Sequence, residues 1–230
     1  MALYAISDLH LSTFTDKPMD IFKGWSDYIY KIQTNWEMTI EEDDLVVVPG
    51  DFSWARNMED ALLDFKFLDE MKGRKILLKG NHDYWFSTAT KVNNWLKENN
   101  LTSIEMLNNN SFMYKDIAIA GTRGWIMDND DPLKIKVYNR EVQRLNLSLK
   151  DAKAKDPKEI IVFLHYPPIN NFFTQAEIIE LLKEFGVKRC YYGHLHGQGI
   201  FNAVNKVING ISFRLLSADY LKFKPFLIEN

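Results

Sequence analysis

Five short apolar runs in this chain each lead, within a few residues, onto Asp, Asn or His, and this placement constrains the fold more than any other feature. The segments are Ala5-Ile6-Ser7-Asp8-Leu9-His10, Val47-Val48-Pro49-Gly50-Asp51, Leu77-Leu78-Lys79-Gly80-Asn81-His82-Asp83, Phe163-Leu164-His165 and Tyr192-Gly193-His194-Leu195-His196. Residues 2–6, 45–48, 75–78 and 160–164 read as buried strands, with 189–192 a weaker fifth. All five histidines of the protein lie in these segments. In an open α/β sheet, ligands collect at the carboxyl ends of the strands, so five such ends deliver Asp, His and Asn to one rim. One histidine alone reads as a structural residue with a satisfied hydrogen bond; the set, each beside Gly, Asp or Asn, does not. Gly50, Gly80 and Gly193 each precede the polar residue, where a sharp turn or close backbone approach is expected.

Amphipathic stretches separate these runs. Ile21, Trp25, Ile29, Ile32 and Trp36 recur at helical spacing, as do Ala61, Leu62, Phe65, Leu68 and Met71 ahead of a stop at Gly73. Segments 88–99, 134–150 and 175–185 are further helices, and 150–158 the solvated end of one. Residues 104–121 read as short strands around Asn108-Asn109-Asn110, 198–228 as another set of strands, and 128–132 as a loop. The pattern is α/β with an added β-rich element rather than a plain βα repeat. With 230 residues and 46% apolar content, the chain reads as one domain over 1–230. No basic, apolar leader and no membrane-length apolar run is visible, and Cys190 has no partner cysteine, so the cytoplasm is the expected compartment and a buried, inert thiol the expected state. The net charge of −3 and the lack of a basic track with interleaved aromatics give no support to a nucleic-acid backbone as partner, although scattered lysines can converge in space. Oligomeric state is not legible.

Imidazole and carboxylate together suit Zn, Mn, Fe, Co or Ni better than Ca or Mg. A single cysteine excludes a zinc-finger type of site. Asp8, His10, Asp51, Asn81, His165, His194 and His196 make seven candidate ligands. That is too many for one tetrahedral ion and suits two divalent ions sharing a carboxylate, typically ~3.5–4 Å apart. Two such ions less two aspartates leave a positive excess that favours an anionic substrate.

Asp8-Leu9-His10, Gly50-Asp51, Gly80-Asn81-His82-Asp83, His165 and Gly193-His194-Leu195-His196, in this order, resemble the calcineurin-like metallophosphoesterases. The resemblance implies a four-layer αββα sandwich of two mixed β-sheets flanked by helices. It implies one metal held by Asp8, His10, Asp51 and His196, and another by Asp51, Asn81, His165 and His194, with Asp51 shared. It implies a dinuclear-metal phosphoester hydrolase in which a water ionised between the ions attacks phosphorus and His82 assists the leaving group. Asn81 then helps hold His82. Asp83 either orients His82 or is a structural turn residue. A phosphodiester or small phosphomonoester is the expected substrate; the alternative is a non-catalytic metal-binding interaction scaffold of the same fold. Many members carry an acid three positions after the motif aspartate; here Trp54 stands there, which leaves open how His82 is held. Segments 50–55, 121–125 and 165–168 resemble a bacterial branch described only as predicted phosphohydrolases. Arg123, between two glycines, is a candidate for contacting substrate phosphate, since a guanidinium matches its geometry. The alternative is a surface arginine in a hairpin loop. Trp54, Tyr84 and Trp85 read first as packing and second as walls of the site.

Overall fold

The computed structural model describes residues 1–14, 16–127 and 130–230. Its elements, in chain order, are β1 (Leu3–Ala5), α1 (Tyr28–Glu37), β2 (Leu45–Val48), α2 (Leu62–Glu70), β3 (Arg74–Leu78), α3 (Ala89–Glu98), β4 (Ile104–Leu107), β5 (Ser111–Tyr114), β6 (Ile117–Thr122), α4 (Pro132–Ala154), β7 (Glu159–Leu164), α5 (Ala176–Glu184), β8 (Arg189–Tyr192), β9 (Val207–Ile208), β10 (Ile211–Leu215) and β11 (Phe226–Glu229). They form a sheet of order β11-β1-β2-β3-β4 and a second of order β5-β6-β7-β8-β10-β9. Both are mixed: β11 runs antiparallel to β1 while β1, β2, β3 and β4 are parallel, and β5 and β9 are the antiparallel edges of the second sheet.

Side chains alternate across each strand, and the alternation builds the layers. Val46, Val48 and Leu77 face Ile32 and Trp36 of α1, Phe65 of α2 and Leu96 of α3. Leu45, Val47, Ile76 and Leu78 point the other way, onto Ile119, Ile161 and Phe163 of the second sheet. The opposite face of that sheet, with Ala120, Val162 and Tyr192, packs on Leu145 of α4 and Leu182 of α5. The result is the expected αββα sandwich. Because both faces of the central strands are buried, these strands are runs of apolar residues without polar alternation.

Local chemistry explains the helix boundaries. Pro132 opens α4 where its missing N–H costs nothing, and the Asp131 carboxylate caps it, accepting from Leu133 and Lys134. Of the loop expected over 128–132, Asp128 and Asn129 lie outside the described residues, and Pro132 belongs to the helix. Thr88 caps α3. The helix expected to begin near Ile21 begins at Tyr28 instead. Asp27 has a left-handed φ of 53°, which no α-helix continues, and Ile21 projects into solvent after a short 3-10 turn over Met19–Ile21. The strands expected over 198–228 are preceded by a 3-10 helix, Gly197–Asn202, and the last of them, β11, crosses to the first sheet. Cys190 is buried, and burial pushes its thiol pKa up. Among the described residues, no helix is long and apolar enough to cross a membrane.

Lys75 is the unusual core residue. It is 1% exposed on β3, with its Nζ on the carbonyls of Met71 and Asp69 and on Ser103 Oγ. Burial lowers its pKa to about 8, against pull from Asp69, Glu42 and Glu37 in the other direction. Between pH 8 and the ordinary lysine value of 10.5 the unfolded chain therefore holds a proton that the folded chain has released. Stability should rise with pH across that window by about 3 kcal/mol from this group. Urea denaturation of Lys75→Met beside the parent, at pH 7.5 and 10, should show the variant lacking that part of the slope; equal slopes would exclude it.

Candidate metal centre

The carboxyl ends of five strands meet at one rim. β1 delivers Asp8 and His10, β2 Asp51, β3 Asn81, His82 and Asp83, β7 His165, and β8 His194 and His196. The turns after β1 and β2 travel together: Asp8 N donates to Gly50 O, His10 N to Asp51 O and Leu11 N to Phe52 O. Gly50, at φ 94°, lies against the β3 turn so closely that a Cβ there would sit 2.7 Å from the Gly80 backbone and 2.8 Å from His165 Nδ1. Any side chain would push β2, β3 and β7 apart.

Two clusters result. Ligand atoms of Asp8, His10 and His196 all lie within 4.8 Å of one another, and so do those of Asp51, His165 and His194. The clusters adjoin: Asp51 Oδ2 is 3.8 Å from His10 Nε2 and 3.5 Å from His165 Nε2. Asn81 Oδ1 lies 2.7 Å from His165 Nε2. All seven expected ligands are thus brought together. Asp8, His10, Asp51 and His194 have φ values of 63°, 48°, 51° and 72°. Backbone in this region is disfavoured for residues with a Cβ, and Asp, Asn and His are among those that tolerate it best.

The donor set fits divalent cations. His165 Nδ1 faces Pro49 O at 3.1 Å, so as donor there it turns an Nε2 lone pair onto the Asn81 carbonyl oxygen. His10 Nε2 and His196 Nε2 face each other at 3.2 Å, with Asp8 Oδ1 3.2 Å from the latter. Acceptors this close repel unless a proton or cation lies among them. Burial holds the His10 pKa well below 6.5 and brings His165 to about 3 and His194 to about 4, so these rings keep their lone pairs at neutrality. His196 is the exception: burial would lower it, but Asp8 and Asp219 carry it to about 10. Asp51 is pushed well above the usual carboxylate range by burial and by Asp83 and Asp8, an electrostatic stress that bound cations relieve. The two clusters fit two divalent metals, and a carboxylate–imidazole donor set suits transition metals.

The surroundings orient these groups. Asp219 faces His196 Nδ1 at 3.2 Å and accepts from Gly197 N. Asp8 accepts from His194 N and Ser217 Oγ. Asp83, fully buried, accepts from the backbone N–H groups of Gly80, Asp51, Phe52 and Ser53 and from Trp85 Nε1. Its two oxygens bind the β2 turn to the β3 turn, and none of these contacts reaches the His82 imidazole. Asp219 and Ser217 escaped the sequence reading. They follow β10, far from every motif, and only the folded sheet brings them to the rim.

His82 N donates to Asp51 Oδ1 at 2.8 Å, while its ring lies 4.3 Å from the Trp54 ring and 3.4 Å, at Nδ1, from Tyr84 Oη. Trp85 is core, whereas Trp54 is partly exposed and stacks on His10. The Arg123 guanidinium pairs with the buried Glu141 at 3.2 Å and covers Trp125. Its backbone serves the site, since Arg123 O accepts from His165 N and Tyr166 N.

Comparison with known proteins agrees with this geometry. Solved structures of similar fold include the phosphopantetheinyl hydrolase PptH of Mycobacterium tuberculosis, 13% identical over 100% of this chain and 95% of that one, with a TM-score of 0.59. TT1561 of Thermus thermophilus is 14% identical over 99% and 97%, with a TM-score of 0.56. A protein of unknown function from Aquifex aeolicus, AQ665, is 18% identical over 98% and 95%, with a TM-score of 0.52. At these identities the likeness is one of fold. No curated protein matches the chain. A family model, calcineurin-like phosphoesterase, matches residues 1–198 and so contains all five strand-end motifs. With that match and two adjoining metal-ligand clusters, the chain belongs to the calcineurin-like phosphoesterases.

Proposed function

We propose that this site hydrolyses phosphodiesters or small phosphomonoesters with two divalent transition metals and with His82 assisting the leaving group. The observation that carries the reading is the adjoining pair of ligand clusters with one further imidazole, His82, beside them and in neither. Asp8, His10, Asp51 and His196 would hold one ion and Asp51, Asn81, His165 and His194 the other. Bound there, the pair would supply charge neutralisation of the phosphate and a water acidic enough to attack at neutral pH.

The chain's own residues do the rest. Asp51, held by the His82 backbone N–H and placed between the clusters, sets their separation. Asp219 fixes the ring of His196, and Pro49 O that of His165. His82 is held against the Trp54 ring, tilted 49° to it at 4.3 Å, and by Tyr84 Oη rather than by a carboxylate. Burial, then Lys17, lowers its pKa, so its protonated form is a stronger acid in smaller amount. With Nδ1 toward Tyr84, Nε2 is the nitrogen free to protonate the departing oxygen. Asp83 acts through the backbone, as the clamp between the turns bearing Asp51 and Asn81.

The protein stripped of metal and restored with Mn, Co, Ni, Zn or Fe should hydrolyse p-nitrophenyl phosphate or its bis ester. His82→Asn should keep about two ions per chain and lose about 100-fold or more in kcat; turnover equal to the parent would remove His82 from the mechanism. Asp51→Asn should lose metal and activity together, read by elemental analysis of the same samples. In Asp83→Asn, an amide N–H would confront backbone donors in a dry site. A urea titration should show a loss of about 2–4 kcal/mol, and unchanged stability would mean the clamp does not hold the turns.

A further inference from the structure

We infer that the groove beside His10, His82 and His196 is a subsite for a hydrophobic leaving group, so that the preferred esters are those of aryl or long-chain alkyl alcohols; the inference rests on the phosphoesterase reading. A groove of about 360 Å³ opens on these three imidazoles and is walled by Met19, Phe22, Trp25 and Trp54. That volume suits a small-molecule substituent. Its floor consists of two ligands of one metal cluster and the proposed general acid. A phosphate held at that cluster, with its ester oxygen toward His82, therefore directs its organic group into the groove.

The chemistry of the walls selects what enters. Among the described residues the lining offers three aromatic rings and a thioether and no carboxylate; Lys23 is on the lining, and Lys17 Nζ stands 4.6 Å from the Trp54 ring centroid. An apolar group attached to an anion meets attraction at both ends, whereas a sugar or polyol finds few partners for its hydroxyls. Trp54 is the central wall. It stacks on His10 at 4.9 Å and lies 4.3 Å from His82, so one ring borders the metal cluster, the acid and the groove together.

The groove is built before any ligand arrives. Trp25 is buried edge-on against Tyr28, Phe223 and His196, and three successive turns, Phe22 N to Met19 O, Trp25 N to Phe22 O and Tyr28 N to Trp25 O, hold its segment. Phe22, by contrast, is 54% exposed at the groove. It is an apolar wall left in water, and its removal spares the core.

Non-hydrolysable phosphonates test this without turnover. Calorimetric titration of the metal-loaded protein should show benzylphosphonate or octylphosphonate binding at least tenfold more tightly than methylphosphonate. In Phe22→Ser, with its fold checked by thermal melting, that ratio should fall at least threefold. Preference for the benzyl compound identifies an aromatic alcohol and preference for octyl an alkyl one; either order supports a hydrophobic subsite. Equal affinities, a ratio untouched by Phe22→Ser, or no binding of any phosphonate would overturn it. Hydrolysis of p-nitrophenyl phosphate by the same samples separates the two readings. Turnover without the affinity ratio removes only the subsite, and the ratio without turnover removes only the hydrolase.

Discussion

Three aspartates, Asp8, Asp51 and Asp83, are almost wholly withdrawn from water at the centre of the fold, and the arrangement around them follows from the need to stabilise them there. A buried carboxylate is costly unless hydrogen-bonded or paired with positive charge. Asp83 is satisfied by four backbone N–H groups and an indole, none of them charged. Asp8 receives one backbone N–H and a serine hydroxyl beside three imidazoles. Asp51 receives the His82 N–H and is pressed by the other two aspartates. The progression from fully satisfied to barely satisfied separates Asp83 from the two carboxylates of the candidate metal clusters. The carboxylate most in need of a cation is the one between the two clusters.

The centre also depends on the contact between the sheets. Asp8, His10, Asp51 and Asn81 come from the first sheet, and His165, His194 and His196 from the second. Neither sheet alone carries a complete cluster, since each cluster takes ligands from both. The layer of Leu45, Val47, Ile76 and Leu78 against Ile119, Ile161 and Phe163 therefore sets ligand distances as well as stability. The Ser7–Ser217 bridge and the His194 N–H on Asp8 join the sheets at the rim itself.

Much of this centre was legible in the sequence because its ligands obey a local rule: each follows an apolar strand by one to five residues. The rule needs only the strand period and the tendency of strand ends to bear function. What it misses acts across long separations. Asp219 reaches His196 from 23 residues away, and no local pattern distinguishes it from a surface aspartate. The donors around Asp83 could not be read locally, and both readings of it were compatible with its position after Asn81 and His82. The start of α1 failed for a different reason. Helical spacing of apolar residues continued upstream through Ile21 and Trp25, but the backbone turns at Asp27, and Trp25 is buried from a loop. The periodicity is right that Trp25 seeks the core, which a loop satisfies as well as a helix, and wrong for Ile21, which stays in solvent.

The left-handed backbone at Asp8, His10, Asp51 and His194 bears on how such a centre could be lost. At each position glycine would relieve a conformational penalty of about 1 kcal/mol or more while deleting a ligand. That relief would be set against the hydrogen bonds Asp8 and Asp51 accept and the ring packing of the buried His10. Asp and His at all four positions thus carry a backbone cost that bound metals would offset, visible in dihedral angles rather than in side-chain contacts.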